Sequence, residues 1–74
     1  MDERQLDARD LVCPLPVLKA RKALQDMPPG AVLEVLATDP AAPIDFAVFC
    51  ETNGHLLSTT TVDEVIVFRI EKAR

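Results

Sequence analysis

A chain of 74 residues holds one small domain with a single hydrophobic core. Its hydrophobic fraction of 49% excludes intrinsic disorder, and its 27% of charged residues is ordinary for a globular protein. Eight Lys and Arg against twelve Asp and Glu leave a formal charge of −4, which argues against nucleic acid and anionic membranes as partners. We therefore expect one domain over residues 1–74, and we expect it to be a monomer.

The sequence also lacks the signals that direct a protein out of the cytoplasm. No apolar stretch reaches the roughly 20 residues that a membrane-spanning helix needs. The first residues, Met1-Asp2-Glu3-Arg4, are acidic, whereas a signal peptide begins with basic residues. These observations predict a cytoplasmic protein.

Two cysteines, Cys13 and Cys50, are too few and too far apart for a disulfide framework, and no paired C-x-x-C element indicates zinc. In a reducing cytosol both are expected to be free thiols. We expect no metal and no organic cofactor.

The first predicted elements are a short strand and an amphipathic helix. Residues Gln5–Ala8 read as the strand. From Pro14 to Met27, apolar side chains gather on about one third of a helical wheel, and charged ones lie opposite. The sequence Pro28-Pro29-Gly30 ends this helix, because proline cannot continue it. The apolar set is Val17, Ala20, Ala23, Leu24 and Met27.

The second half of the chain predicts an interior strand followed by another helix. Val32–Thr38 has the apolar, β-branched character of a strand inside a sheet. Pro43 suits the first turn of a helix that runs to Asn53, and Gly54 suits its left-handed end. Three residues share the inner face of this helix: Phe46, Phe49 and Cys50.

Two final strands, His55–Thr61 and Val65–Glu71, complete the order β-α-β-α-β-β. Because each helix has a single apolar face, both helices are expected to cover one side of a four-stranded mixed sheet. The predicted fold class is an α/β (α+β) two-layer sandwich.

The most informative local pattern is a cysteine beside two prolines. We place Pro14 at the first helical position, which makes Cys13 the predicted N-cap residue. The free N–H groups and partial positive charge of a helix start stabilise a thiolate, so the pKa of Cys13 is expected to fall below about 8.5. Pro14 and Pro16 leave Leu15 as the near N–H donor and stiffen the backbone, which holds the sulfur outward. The alternative is a buried cysteine that serves as a small hydrophobe.

Several further motifs occur along the chain in a characteristic order. The most specific is Cys13-Pro14-Leu15-Pro16, within a similarity that runs from about Leu6 to Ile70. The other segments are Leu6-Asp7-Ala8-Arg9, Leu11-Val12, Val17-Leu18, Leu33-Glu34-Val35, Ala37-Thr38-Asp39-Pro40, Asp45-Phe46, Phe49-Cys50 and Gly54-His55. Together they resemble the TusA/SirA family of small sulfur-carrier proteins.

That resemblance implies a β-α-β-α-β-β sandwich whose cysteine, here Cys13, accepts sulfane sulfur as a persulfide and passes it on. The implied partners are a sulfur donor, either a cysteine desulfurase or a rhodanese-like protein, and an acceptor protein. Family members serve tRNA thiolation, molybdenum-cofactor biosynthesis or dissimilatory sulfur metabolism, and the motif does not choose among these. The chain is then a sulfurtransferase in the sense of a relay protein, without a small-molecule substrate pocket.

One position departs from the family, which usually has glycine where this chain has Asp10. Aspartate tolerates the left-handed conformation, so the turn can persist. The charge of Asp10 would oppose a thiolate if its side chain lies near Cys13, and Arg9 would offset it. The residues expected to shape the site are Arg9, Asp10, Pro14, Leu15 and Pro16.

The predicted first helix also carries a candidate partner surface. Leu15 and Leu18 fall outside its apolar arc, where they either dock a partner or are covered by loops or the sheet edge. The only concentrated positive charge either steers an acidic partner or faces solvent; it consists of Lys19, Arg21 and Lys22. The competing function is a regulatory or interaction module that docks a partner through this helix without sulfur chemistry.

Other residues have a structural interpretation beside a functional one. Ile44, Ala47 and Val48 form either a second contact surface or extra core, and Cys50 is expected to be a buried structural thiol. We expect His55 to cap a helix end or lie on the surface. Asp7 and Arg9 form a solvated pair or act on Cys13, and Asp39 is expected to form a turn.

Overall fold

The computed structural model of the chain describes residues 3–74. Its elements are β1 (Glu3–Ala8), α1 (Leu15–Gln25), β2 (Val32–Ala37), α2 (Ala42–Asn53), β3 (Leu56–Val62) and β4 (Val65–Glu71). The predicted element order and the α+β sandwich are both confirmed. In this part of the chain, neither helix is long and apolar enough to cross a lipid bilayer.

The four strands form one mixed sheet in the order β1-β2-β4-β3. β1 runs parallel to β2, and β4 runs antiparallel to both β2 and β3. Ala8 and Ala37, the last residues of β1 and β2, are register partners. The loops that follow these two strands therefore leave the same edge of the sheet side by side.

The core lies between the helices and one face of the sheet. Burial alternates along β2, where Leu33, Val35 and Ala37 are buried. Phe46 of α2 stacks on Phe68 of β4 with the ring centroids 4.3 Å apart. The helices add the buried side chains of Pro16, Ala20, Leu24, Ala42 and Cys50. The apolar faces predicted for both helices are thus the faces that pack on the sheet.

Element boundaries differ from the prediction by one or two residues at several places, of which three have a clear cause. β1 begins at Glu3, because Val32 of β2 supplies a parallel partner there. α1 ends at Gln25, short of Met27, and Lys72 Nζ donates to carbonyls of this end, including Met27 O at 2.6 Å. β3 begins after His55, because the His55 N–H donates to a carbonyl of α2 and so belongs to the helix end.

The side chain of His55 ties the end of α2 to the C-terminal segment. Its Nδ1 accepts a hydrogen bond from the Ala73 N–H at 2.9 Å. The ring lies beside Phe49, with the centroids 5.5 Å apart. Partial burial, and then the charge of Lys72, lower the pKa of His55 from its usual 6.5. His55 is thus a structural residue at the helix end.

The lowered pKa of His55 predicts a loss of stability on acidification. The unfolded chain binds a proton at His55 more tightly than the folded chain does. The contribution of neutral His55 to the stability of the fold is therefore complete above about pH 6.5, and it is lost as the pH falls toward the folded-state pKa. We expect Tm to fall by a few degrees between about pH 7.5 and about pH 5.5, measured by circular dichroism. Glutamine at this position keeps a hydrogen-bond acceptor but does not titrate, so His55→Gln should remove most of the fall in Tm. An identical pH profile in the variant would contradict the prediction.

Candidate functional site

Cys13 lies exposed in the loop between β1 and α1. The Leu15 N–H donates to Val12 O at 2.9 Å across a turn in which the Cys13–Pro14 bond is cis. The Leu18 N–H donates to Pro14 O at 3.1 Å, so Pro14 is the N-cap of α1. The prediction that Cys13 is the N-cap and Pro14 the first helical residue is wrong by one position, because the turn places Cys13 just outside the helix.

Two hydrogen bonds to side chains of the loop after β2 hold the Cys13 loop in place. The Asp10 N–H donates to Thr38 Oγ1 at 2.9 Å, and the Cys13 N–H donates to Asp39 Oδ2 at 2.6 Å. Asp39 Oδ1 accepts the Ala41 N–H at 3.1 Å, which forms the turn predicted for this residue. Sequence reasoning missed the second role of Asp39, which is to fix the backbone of Cys13.

An open groove of about 320 Å³ runs beside Cys13 between α1 and α2. The side chains of Cys13 and Asp45 both line this groove, and hydrogen bonding with the Asp45 carboxylate is the largest influence on the pKa of the Cys13 thiol. The groove is lined by Cys13, Pro14, Val17, Asp45, Val48 and Phe49. The three residues from α2 have i, i+3 and i+4 spacing, which places them on one helix face. That spacing within a recognised motif is the sequence signal that would have identified Asp45.

The electrostatics of Cys13 are the reverse of the prediction. The hydrogen bond to Asp45 raises the pKa of the Cys13 thiol, and partial desolvation and the charges of Asp45 and Asp39 raise it further. The Leu15 N–H, the donor expected to help a thiolate, is bonded to Val12 O instead. The predicted lowering of the Cys13 pKa by the helix start is therefore wrong, and the free thiol favours its protonated form.

Arg9 and Asp10 were both predicted to shape the site, and neither is a cause of the rise in the pKa of Cys13. Arg9 pairs with Asp7 at 2.9 Å, and hydrogen bonds from Arg9 lower the pKa of Asp7 to about 2. Arg9 is thus part of an exposed ion pair. Asp10 adopts the predicted left-handed conformation with φ of 66°. The acidic charges that oppose the thiolate come from Asp45 and Asp39.

The other motif residues divide between core and surface. Pro16 is fully buried beneath the loop, whereas Pro14 lines the groove. Leu15 and Leu18 are 44% and 50% exposed, so the alternative in which loops or the sheet edge cover them is wrong. The positive side chains Lys19, Arg21 and Lys22 are also exposed.

Apolar residues of α2 and of the loop extend this exposed surface. Ile44 and Val48 are 72% and 60% exposed, and Ala47 is exposed as well, which excludes the extra-core interpretation. Val12, beside Cys13, is 66% exposed. Exposed apolar side chains of this kind are typical of a surface that meets another protein.

The second cysteine is part of the core. Cys50 is 2% exposed, and burial raises its pKa to about 11. This is the inert structural thiol that was expected. Among residues 3–74, no group of three or more His, Cys, Asp and Glu side chains is placed to hold a metal ion.

Comparison with known proteins gives one consistent family. The model of the family described as sulfurtransferase TusA matches residues 4–72. The sulfur carrier protein TusA of Allochromatium vinosum is 47% identical over 55 residues, which cover 74% of this chain and 72% of the relative. A protein of the same name from Pseudomonas syringae pv. tomato is 41% identical over 59 residues, or 80% of this chain and 70% of the relative.

Structural comparison agrees with the sequence matches. The crystal structure of a SirA-like protein from Desulfitobacterium hafniense superposes with a TM-score of 0.85 at 26% identity. The match covers 96% of this chain and 99% of that chain. The resemblance seen in the motifs and the fold that it implied are both confirmed.

Proposed function

The chain belongs to the TusA family of sulfurtransferases, and we propose that it is a sulfur carrier that holds sulfane sulfur as a persulfide on Cys13 and relays it to an acceptor protein. The observation that carries the assignment to Cys13 is its position. Its thiol is exposed beside an open groove, and the Asp39 carboxylate fixes its backbone. Cys50 has no such access.

The loading step is an exchange at sulfur. The thiolate of Cys13 attacks the outer sulfur of a donor persulfide, a new S–S bond forms, and the bond to the donor's inner sulfur breaks. The donor's inner sulfur leaves as a thiolate, so no external oxidant or reductant is consumed. In the unloading step, an acceptor thiolate attacks the outer sulfur and Cys13 is the leaving thiolate. This chemistry needs an accessible sulfur and no enclosed pocket.

The partners of this relay are a sulfur donor protein, a cysteine desulfurase or a rhodanese-like protein, and a sulfur acceptor protein. Leu15 and Leu18 supply exposed apolar area at the start of α1, close in sequence to Cys13. Lys19, Arg21 and Lys22 add positive charge along the same helix, which supports steering of an acidic partner surface. Docking through α1 therefore belongs to the relay itself.

Intact-mass spectrometry tests the assignment. After incubation with a cysteine desulfurase and cysteine, we expect a one-sulfur adduct on the wild-type protein that a reductant removes. Cys50→Ala should gain the same adduct, whereas Cys13→Ser should gain none. An adduct that persists in Cys13→Ser would overturn the assignment to Cys13. A wild-type protein that never gains sulfur would favour the interaction module without sulfur chemistry.

A further inference from the structure

The groove beside Cys13 combines apolar walls with acidic charge. Asp45 of α2 and Cys13 line it together, and Asp39 of the loop after β2 accepts the hydrogen bond of the Cys13 backbone N–H. The two groove residues from the start of α1, Pro14 and Val17, carry no charge. Among the described residues, none of the side chains that line the groove is basic.

This arrangement has a chemical consequence for the free protein. A protonated thiol can donate to the Asp45 carboxylate, whereas a thiolate at the same place faces a like charge without a shared proton. Since the thiolate is the nucleophile, the free protein reacts slowly with persulfides and other electrophiles. Reaction at Cys13 becomes faster when something neutralises Asp45.

We propose that Asp45 is a positioning residue that keeps Cys13 a protonated thiol in the free protein, and that a partner protein activates Cys13 by placing a cationic side chain against Asp45. This inference deepens the proposed function and rests on it. The expected occupant of the groove is a segment of the sulfur donor that carries a Lys or Arg close to its persulfide.

Charge complementarity supports that occupant. The groove offers the carboxylate of Asp45 among apolar neighbours such as Val48, which is 60% exposed. A docked segment would exclude water there and so strengthen its ion pair with Asp45. The Cys13 S–H bond then breaks, its proton passes to solvent, and the sulfur forms the S–S bond described above. The departing donor thiolate takes up a proton, so the exchange is balanced.

Alkylation by iodoacetamide tests the restraint without any sulfur donor. The rate at Cys13 is followed against pH by mass spectrometry of its peptide, in wild type, Asp45→Asn and Asp45→Ala. Loss of the carboxylate should move the midpoint of the pH–rate profile to lower pH, which raises the thiolate fraction near neutral pH. Because each thiolate also becomes less nucleophilic, the net gain in rate is smaller, about threefold.

A matched control separates this effect from net charge. Asp63→Asn removes the same charge from the turn between β3 and β4, where φ is 49° and Asn is well tolerated. Its midpoint should equal that of wild type. Circular dichroism checks that each variant is folded. Asp45→Ala is included because alanine favours the helical conformation more than asparagine does. Midpoints of both Asp45 variants at or above the wild-type value would overturn the proposed restraint.

The cationic partner is tested by the salt dependence of loading with a cysteine desulfurase and cysteine. Between about 50 and about 500 mM NaCl, the wild-type loading rate should fall, and it should fall less for Asp45→Asn. Equal salt dependence in the two proteins would overturn the proposal that the partner places a cationic side chain against Asp45. Failure of the proposed function would instead appear as the absence of any adduct on Cys13. The alkylation profile distinguishes the two cases, because it needs no sulfur transfer.

Discussion

Phe46→Ala is expected to lower the free energy of unfolding by about 3–5 kcal/mol. Phe46 is fully buried and stacks on Phe68 at a centroid distance of 4.3 Å, so its removal leaves a cavity between α2 and the sheet. A domain of this size has little reserve, because total stabilities of about 5 kcal/mol are at the low end of the usual range. Urea denaturation followed by circular dichroism measures the loss.

The matched control for Phe46→Ala is Phe49→Ala, one helical turn further along α2. Phe49 is only half-buried and lines the groove, so we expect a loss of about 1–2 kcal/mol. Equal losses in the two variants would contradict the assignment of Phe46 to the centre of the core.

Leu18→Glu is expected to weaken binding to a cysteine desulfurase at least about tenfold, which is a loss of about 1.4 kcal/mol. Leu18 is 50% exposed on α1, so its apolar area is free to be buried by a partner. Glutamate places a charge in that contact yet suits a helix, and Lys22 one turn on can pair with it. Isothermal titration calorimetry measures the affinity.

Leu56→Glu controls for the general effect of a new charge. Leu56 is 66% exposed at the start of β3, at the opposite edge of the sheet from β1. This variant should bind the desulfurase as the wild type does. In Leu18→Glu the iodoacetamide rate at Cys13 should be unchanged, because the groove residues are intact. Unaltered binding of Leu18→Glu would show that the partner does not use this part of α1.

With the proposed role of Cys13, these features make the reactivity of the carrier depend on its partner. The exposed thiol of Cys13 is accessible, yet the Asp45 and Asp39 carboxylates oppose its ionisation. A carrier of this kind discriminates between sulfur sources by docking and charge, because a donor that cannot neutralise Asp45 meets a protonated thiol. Specificity then resides in the partner surface, in keeping with an open groove in place of an enclosed pocket.

Hydrophobic periodicity was sufficient to predict the elements and their inner faces. The alternation in Val65–Glu71 predicted β4 to the residue, and the spacing of Phe46 and Cys50 predicted the buried face of α2. The left-handed end at Gly54, with φ of 73°, also followed from residue type. These features are local, because each depends on the period of one segment or on the backbone freedom of one residue.

The chemistry of the site depended on contacts between distant segments. Asp39 and Asp45 meet Cys13 because β1 and β2 are parallel neighbours, which brings their following loops together, and because α2 packs beside the start of α1. No periodicity within one segment encodes which titratable groups converge. The exposure of Leu15 and Leu18, and the rise in the Cys13 pKa where a fall was predicted, were therefore decided by the packing of the elements against one another.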